Sequence, residues 1–272
     1  MIIGIHGLSN KPEPEILSQG WERAILEGLD KNIQQSGHDL NFLSVYWADV
    51  LYESFDSDPD ELYQPAQPGA IKIHNENWLD NFRARTQNIL DNFIDKIRQW
   101  FGVNPIAKII LKNKLNDLYR YYHEAKVRET LRHRLSEQLL AYQDYHIMLV
   151  AHSMGSIVAY DVLRLLGRSH KHVTIAHFVT IGSPLGLPHV KYRIFEENDL
   201  VRTPTNVNRW TNFSDWRDIV AVDTKLADDY QENSKGVKVQ DDIVLNDWKY
   251  HHKSYGYLRT PEFSAVVSEF LT

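Results

Sequence analysis

Residues 147–160 read I-M-L-V-A-H-S-M-G-S-I-V-A-Y and admit few folds. The apolar run from Ile147 to Val150 has strand character. It enters a turn of small residues carrying Ser153. A helical apolar pattern follows at once through Ile157, Val158, Tyr160, Val162, Leu163, Leu165 and Leu166. The chain thus passes from strand to helix across a turn too tight for bulky neighbours. A serine at the tip is lifted clear of its own strand, open to a substrate and to a base. Ala151, two residues before it, and Gly155, two after, keep the turn small. The helix start supplies partial positive charge and free N–H groups, which makes the Met154 N–H a candidate oxyanion donor. The same serine also fits a plain helix cap, so other segments have to decide between these readings.

The rest of the chain alternates strand and helix signals. Strands are expected at Ile2–His6, Asn41–Trp47, Ile147–Ala151, Val173–Ile181, Arg209–Phe213 and Val237–Leu245. A helix is expected from Glu15 to Gln35, with Ile16, Trp21, Ala24, Ile25 and Leu29 on one face. Another enters the serine strand, with Val127, Leu131, Leu135 and Leu139 at i, i+4 spacing. A last helix runs from Pro261 to Phe270. Such alternation points to an α/β fold with a mainly parallel sheet flanked by helices.

Three further segments carry polar residues at strand ends. The first strand ends in His6-Gly7-Leu8. The strand over 209–213 is followed by Asp215, Asp218 and Asp223, three loop aspartates. The last strand is followed by His251-His252, whose side chains, one residue apart, cannot both face one serine. A metal held by His251-His252, or by His170 and His172, lacks third and fourth ligands at a recognisable spacing. No metal and no cofactor are therefore expected.

In order along the chain these segments read oxyanion loop, serine, aspartate, histidine. That order resembles the α/β-hydrolase superfamily, and within it the lipase-like serine esterases. The resemblance spans residues 1–50 and roughly 126–272. The usual elbow is G-x-S-x-G; here it is A-H-S-M-G, an exchange also used by the small bacterial lipases that this stretch resembles. The resemblance implies Ser153 as nucleophile. It implies Asp218 as the acid, because the family habit of D-x-V in that loop fits Asp218 with Val220. It implies His252 as the base, since the spacing H-x-x-Y before a helix fits His252 better than His251. Leu8, just past His6-Gly7, becomes the second oxyanion donor beside Met154. It also implies that the first two strands of longer hydrolases are missing here.

Residues 51–125 interrupt the pattern. They open with an acidic, proline-bearing loop from Asp56 through Pro65 and Pro68-Gly69. An amphipathic helix with Trp78, Phe82, Ile89, Phe93, Ile97 and Trp100 follows, and then a second apolar helix from Ile106 to Tyr122. This block reads as a helical cap inserted between core segments 1–50 and 126–272, lined to suit an apolar substrate group. A structural hairpin, a dimer contact, or a membrane-surface contact through Lys108, Lys112 and Lys114 are the competing readings.

The expected activity is cleavage of carboxylic esters, of small-molecule or lipid-like type. An acyltransferase with the same residues and a non-catalytic binding protein are the alternatives. With a net charge of -6, nucleic acid is a poor partner, and the 272 residues contain no cysteine for a disulfide or thiol catalysis. No signal peptide or membrane-spanning run is visible, which makes a cytoplasmic protein the expectation. Nothing in the sequence fixes the oligomeric state.

Overall fold

The computed structural model describes residues 1–74 and 116–272, apart from His38, Ile219, Val222 and Tyr250. The expected helix over Trp78–Trp100, most of the one from Ile106, and the lysines 108, 112 and 114 lie outside the described residues.

Six strands form one sheet in the order β2-β1-β3-β4-β5-β6, every neighbour parallel. They are β1 Ile2–Ile5, β2 Phe42–Val45, β3 Met148–His152, β4 His177–Ile181, β5 Trp210–Ser214 and β6 Val239–Ile243. The described α-helices are α1 Pro14–Gly28, α2 Asn116–His123, α3 Ala125–Ala141, α4 Met154–Ser169, α5 Pro188–Asn198, α6 Leu226–Asp229, α7 Ser254–Leu258 and α8 Pro261–Leu271. Among the described residues, no helix is long and apolar enough to cross a membrane.

Successive side chains of a strand point to opposite faces. In β3, Leu149 and Ala151 therefore join one core with the α3 stripe Val127, Leu131, Leu135 and Leu139 and with the apolar face of α4. Met148 and Val150 join the other, against Leu17, Trp21 and Ala24 of α1 and Phe263 and Val267 of α8. A strand covered on both faces is mostly apolar, and all five residues of β3 are buried, with His152 the one polar member at its end.

Two boundaries differ from expectation by more than two residues. Val173 and Ile175 are buried, yet β4 begins only at His177; Ile175 makes a single isolated bridge to Val207. The first helix stays α-helical only to Gly28 and widens into a π-helical turn over Leu29–Ile33, closed by Gln34 in the left-handed region. Apolar periodicity alone does not distinguish these windings.

The chain leaves β1 for β2 on one side, then crosses to β3 on the other. The loops after β1 and β3 consequently meet at the switch point, where parallel sheets place their ligand crevice.

Candidate active site

Ser153 sits between β3 and α4 with φ 52° and ψ -129°. That conformation costs a non-glycine residue about 1–3 kcal/mol and has to be imposed by its surroundings. The Ser153 N–H donates to Ile181 O at 3.1 Å, and its carbonyl accepts from Ser156 N at 2.9 Å and Ser156 Oγ at 2.6 Å. Two glycines bring β1 and its loop against the turn. A Cβ on Gly155 would lie 2.5 Å from His6 O, and one on Gly7 would lie 2.6 Å from Ser153 Cβ. Neither position has room for a side chain.

The structure brings Ser153, His252 and Asp218 together. His252 Nε2 is 3.0 Å from Ser153 Oγ, and His252 Nδ1 is 2.7 Å from Asp218 Oδ2. The buried Asp218 carboxylate takes three further donors. Oδ1 accepts from Val220 N at 2.8 Å and Ala221 N at 3.4 Å. Oδ2 also accepts from the Tyr257 hydroxyl at 2.8 Å. That hydroxyl in turn accepts from Asp215 N at 3.0 Å.

The competing residues are engaged elsewhere. Asp215 binds the Arg217 guanidinium and the Asn246 N–H. Asp223 accepts from Lys225 N at 3.0 Å. His251, with φ 52°, turns its ring to Asn246 O at 3.0 Å. His172 bonds Gln143 and His170 bonds Ser169. Among the described residues, no group of three or more His, Asp or Glu side chains is arranged to hold a metal ion.

The loop after β1 is held at each peptide. His6 Nδ1 donates to Gly7 O at 2.8 Å, while its Nε2 accepts from Trp47 N at 3.0 Å. The ring stacks on Trp47 at 4.6 Å. One ring nitrogen must therefore carry the proton and the other must lack it. Burial, and after it the charge of Lys11, pushes the His6 pKa down to about 3. In a trans peptide the N–H opposes the C=O, so the bond to Gly7 O fixes where the Leu8 N–H points. Neither the Leu8 nor the Met154 N–H has an acceptor among the described residues. The next peptide is gripped on both sides: Lys11 Nζ donates to Leu8 O at 2.9 Å, and Ser9 N donates to the buried Asp117 at 2.6 Å.

Sequence reading missed the residues that join these loops. His152 Nε2 donates to His252 O at 2.7 Å. Glu61 lies between Lys253, at 2.5 Å, and Lys11, at 3.5 Å. It thereby ties the acidic loop from Asp56 to Pro65, a strap across the surface, to the loops carrying His252 and Leu8. Tyr255 adds a bond to Glu61 O. His152 was legible only as the variable position of the elbow, and Glu61 carried no signal.

Three buried imidazoles make stability depend on pH. Burial lowers His6 to about 3, His177 to about 4, and His152 below its ordinary value. An unfolded histidine titrates near about 6.5. Below that pH the unfolded chain binds protons that the folded chain refuses, so stability falls as pH drops from about 6.5 towards 4. Above about 7 these groups contribute no slope. Thermal unfolding against pH should show this fall, and His177→Gln should make it shallower.

A family model described as PGAP1-like alpha/beta domain matches residues 85–265. The matched span includes Ser153, Asp218 and His252, while His6-Gly7-Leu8 lies before it. Among curated proteins no match was found.

Proposed function

Since the chain belongs to the PGAP1-like alpha/beta domain family, a family of lipase-like α/β-hydrolases, we propose that it cleaves carboxylic esters through Ser153, His252 and Asp218. One observation carries the reading: the unbroken row of hydrogen-bond distances, 2.7 Å from carboxylate to imidazole and 3.0 Å from imidazole to hydroxyl.

In this reading Ser153 Oγ attacks the ester carbonyl carbon and its proton passes to His252 Nε2. The carbonyl oxygen becomes an oxyanion and takes hydrogen bonds from the Leu8 and Met154 N–H groups. Asp218 holds the imidazole with its proton on Nδ1 and stabilises the imidazolium. When the C–O bond breaks, His252 returns a proton to the leaving alcohol. Water then attacks the acyl-serine, giving a proton to His252; the bond to Ser153 Oγ breaks, His252 returns that proton to Oγ, and the acid leaves. The described start of the inserted block, residues 51–74, bounds the pocket for the acyl or alcohol group. The contacts of Glu61 with Lys11 and Lys253 support that placement, since they set the strap beside the reacting groups.

His6 acts here as a positioning residue. His6→Asn is expected to lower kcat about 10- to 100-fold with KM nearly unchanged, because a misdirected Leu8 N–H weakens only the transition state. An equal rise in KM would instead point to a collapsed pocket.

Pre-steady-state hydrolysis of a nitrophenyl ester tests the reaction class. A burst of one nitrophenol per chain, followed by slower turnover, is expected of an acyl-enzyme. Added alcohol that converts most product to a new ester would make the protein an acyltransferase. No release above the uncatalysed rate would make it a binding protein.

A further inference from the structure

At the end of α4 away from Ser153, three arginines gather without a carboxylate. Arg164 and Arg168 stand one helical turn apart and donate to the same oxygen, Asn198 Oδ1, at 3.3 and 2.7 Å. Arg202 comes from the loop after α5. Its carbonyl accepts from the Tyr160 hydroxyl at 2.6 Å, one turn before Arg164. Elsewhere Arg132, Arg134, Arg209, Arg217 and Arg259 each pair with a carboxylate. Among the described residues, Arg164, Arg168 and Arg202 pair with none, although acidic residues outnumber basic ones, 36 to 30.

The surroundings make this arrangement costly. Arg164 is only 6% exposed. That burial lowers its pKa, and the charges of Arg202 and Arg168 push it the same way. A cation near a helix C-terminus gains from the helix dipole, which accounts for Arg168 but not for the buried Arg164 or for Arg202. Polar atoms beside the cluster are also unpartnered. Among the described residues, Arg202 Nε is buried without an acceptor, and in the buried Asn206 amide the NH2 lacks an acceptor and the oxygen lacks a donor. Asn206 is 4% exposed. It packs beside Gly167, between the two helix arginines: a Cβ there would lie 3.5 Å from Asn206 Oδ1.

An anion with several acceptor oxygens would take bonds from the three guanidinium groups and from the Asn206 NH2 at once. Guanidinium forks match phosphate geometry, and such charge-assisted bonds are the stronger kind. We infer that Arg164, Arg168 and Arg202, with the Asn206 amide beside them, form a second site that takes a phosphoryl group. It stands apart from the Ser153 site by roughly 16–22 Å along α4. Phosphate in solution and a phospholipid headgroup share this chemistry.

The test titrates inorganic phosphate into the full chain at constant ionic strength, by calorimetry and thermal unfolding, with chloride as the control. Saturable binding and a Tm that rises with phosphate are expected. Binding should weaken at least tenfold in Arg168→Gln, whose side chain is exposed and removable without touching the core, and in Arg202→Gln. Co-sedimentation with phosphatidylcholine vesicles, with and without phosphatidic acid, separates the sources. Vesicle binding lost in the same variants assigns a headgroup; phosphate binding without it assigns a soluble phosphate. Absence of both overturns the inference, and so does binding unchanged in both variants.

Discussion

His252→Ala is expected to lower kcat for ester cleavage about a million-fold, with the fold intact. The serine hydroxyl is a weak nucleophile until a base takes its proton, and the imidazole 3.0 Å from Ser153 Oγ is the group placed to do so. Its side chain is 23% exposed, so truncation opens little core. The residual rate over water would come from the oxyanion donors and from binding. Circular dichroism and the pre-steady-state burst together check the result. His251→Ala serves as the control and should remain close to wild type, because that ring faces Asn246 O. A loss below tenfold in His252→Ala would move the base elsewhere. The His152 ring lies 4.9 Å from the His252 ring between centroids, but its Nε2 is committed to His252 O.

The second largest effect is expected from Asp218→Asn, about 10,000-fold in kcat. The contacts dictate how an amide would sit. Oδ1 receives two backbone N–H groups, from Val220 and Ala221, which cannot reverse to become acceptors. The amide oxygen must take that side, and its NH2 must replace Oδ2. There it meets His252 Nδ1 and the Tyr257 hydroxyl, both of which donate to Oδ2 in the native protein. Tyr257 is able to turn and accept. His252 accommodates the amide only by moving its proton to Nε2, and a protonated Nε2 cannot take the serine proton. The variant should therefore fold and bind substrate, yet carry the wrong tautomer. Tyr257→Phe removes one donor and leaves the tautomer alone, so its loss should be far smaller. Equal losses in both variants would mean that Asp218 acts by holding the loop and not the imidazole.

Much of the scaffold was legible because it follows from local pattern. All six strands fall within or overlap the apolar runs, and the strand–turn–helix around Ser153 appears where A-H-S-M-G places it. The choices among neighbours were different in kind. Nothing local separates Asp218 from Asp215; only the family's D-x-V habit selected it. The physical difference is that Arg217 and Asn246 N already occupy Asp215. His251 and His252 likewise differ through a backbone turn, φ 52° at His251, that no side chain announces. The helpers around them were invisible for one shared reason. Tyr257 reaches Asp218 across 39 residues, His152 reaches His252 across 100, and His6 meets Trp47 across 41. Such pairs exist only once the sheet brings the strand ends together. Sequence pattern also set the wrong start for β4 and missed the π-helical turn after α1, because burial without a ladder looks the same as burial with one.

The most direct measurement is site-resolved mass spectrometry of the folded protein after treatment with a fluorophosphonate, which phosphonylates only an activated serine. The expected result is a single adduct on Ser153, formed rapidly in the wild type and almost not at all in His252→Ala. A folded wild-type protein that carries no adduct on Ser153, or that is labelled equally well without His252, would contradict catalysis by this serine.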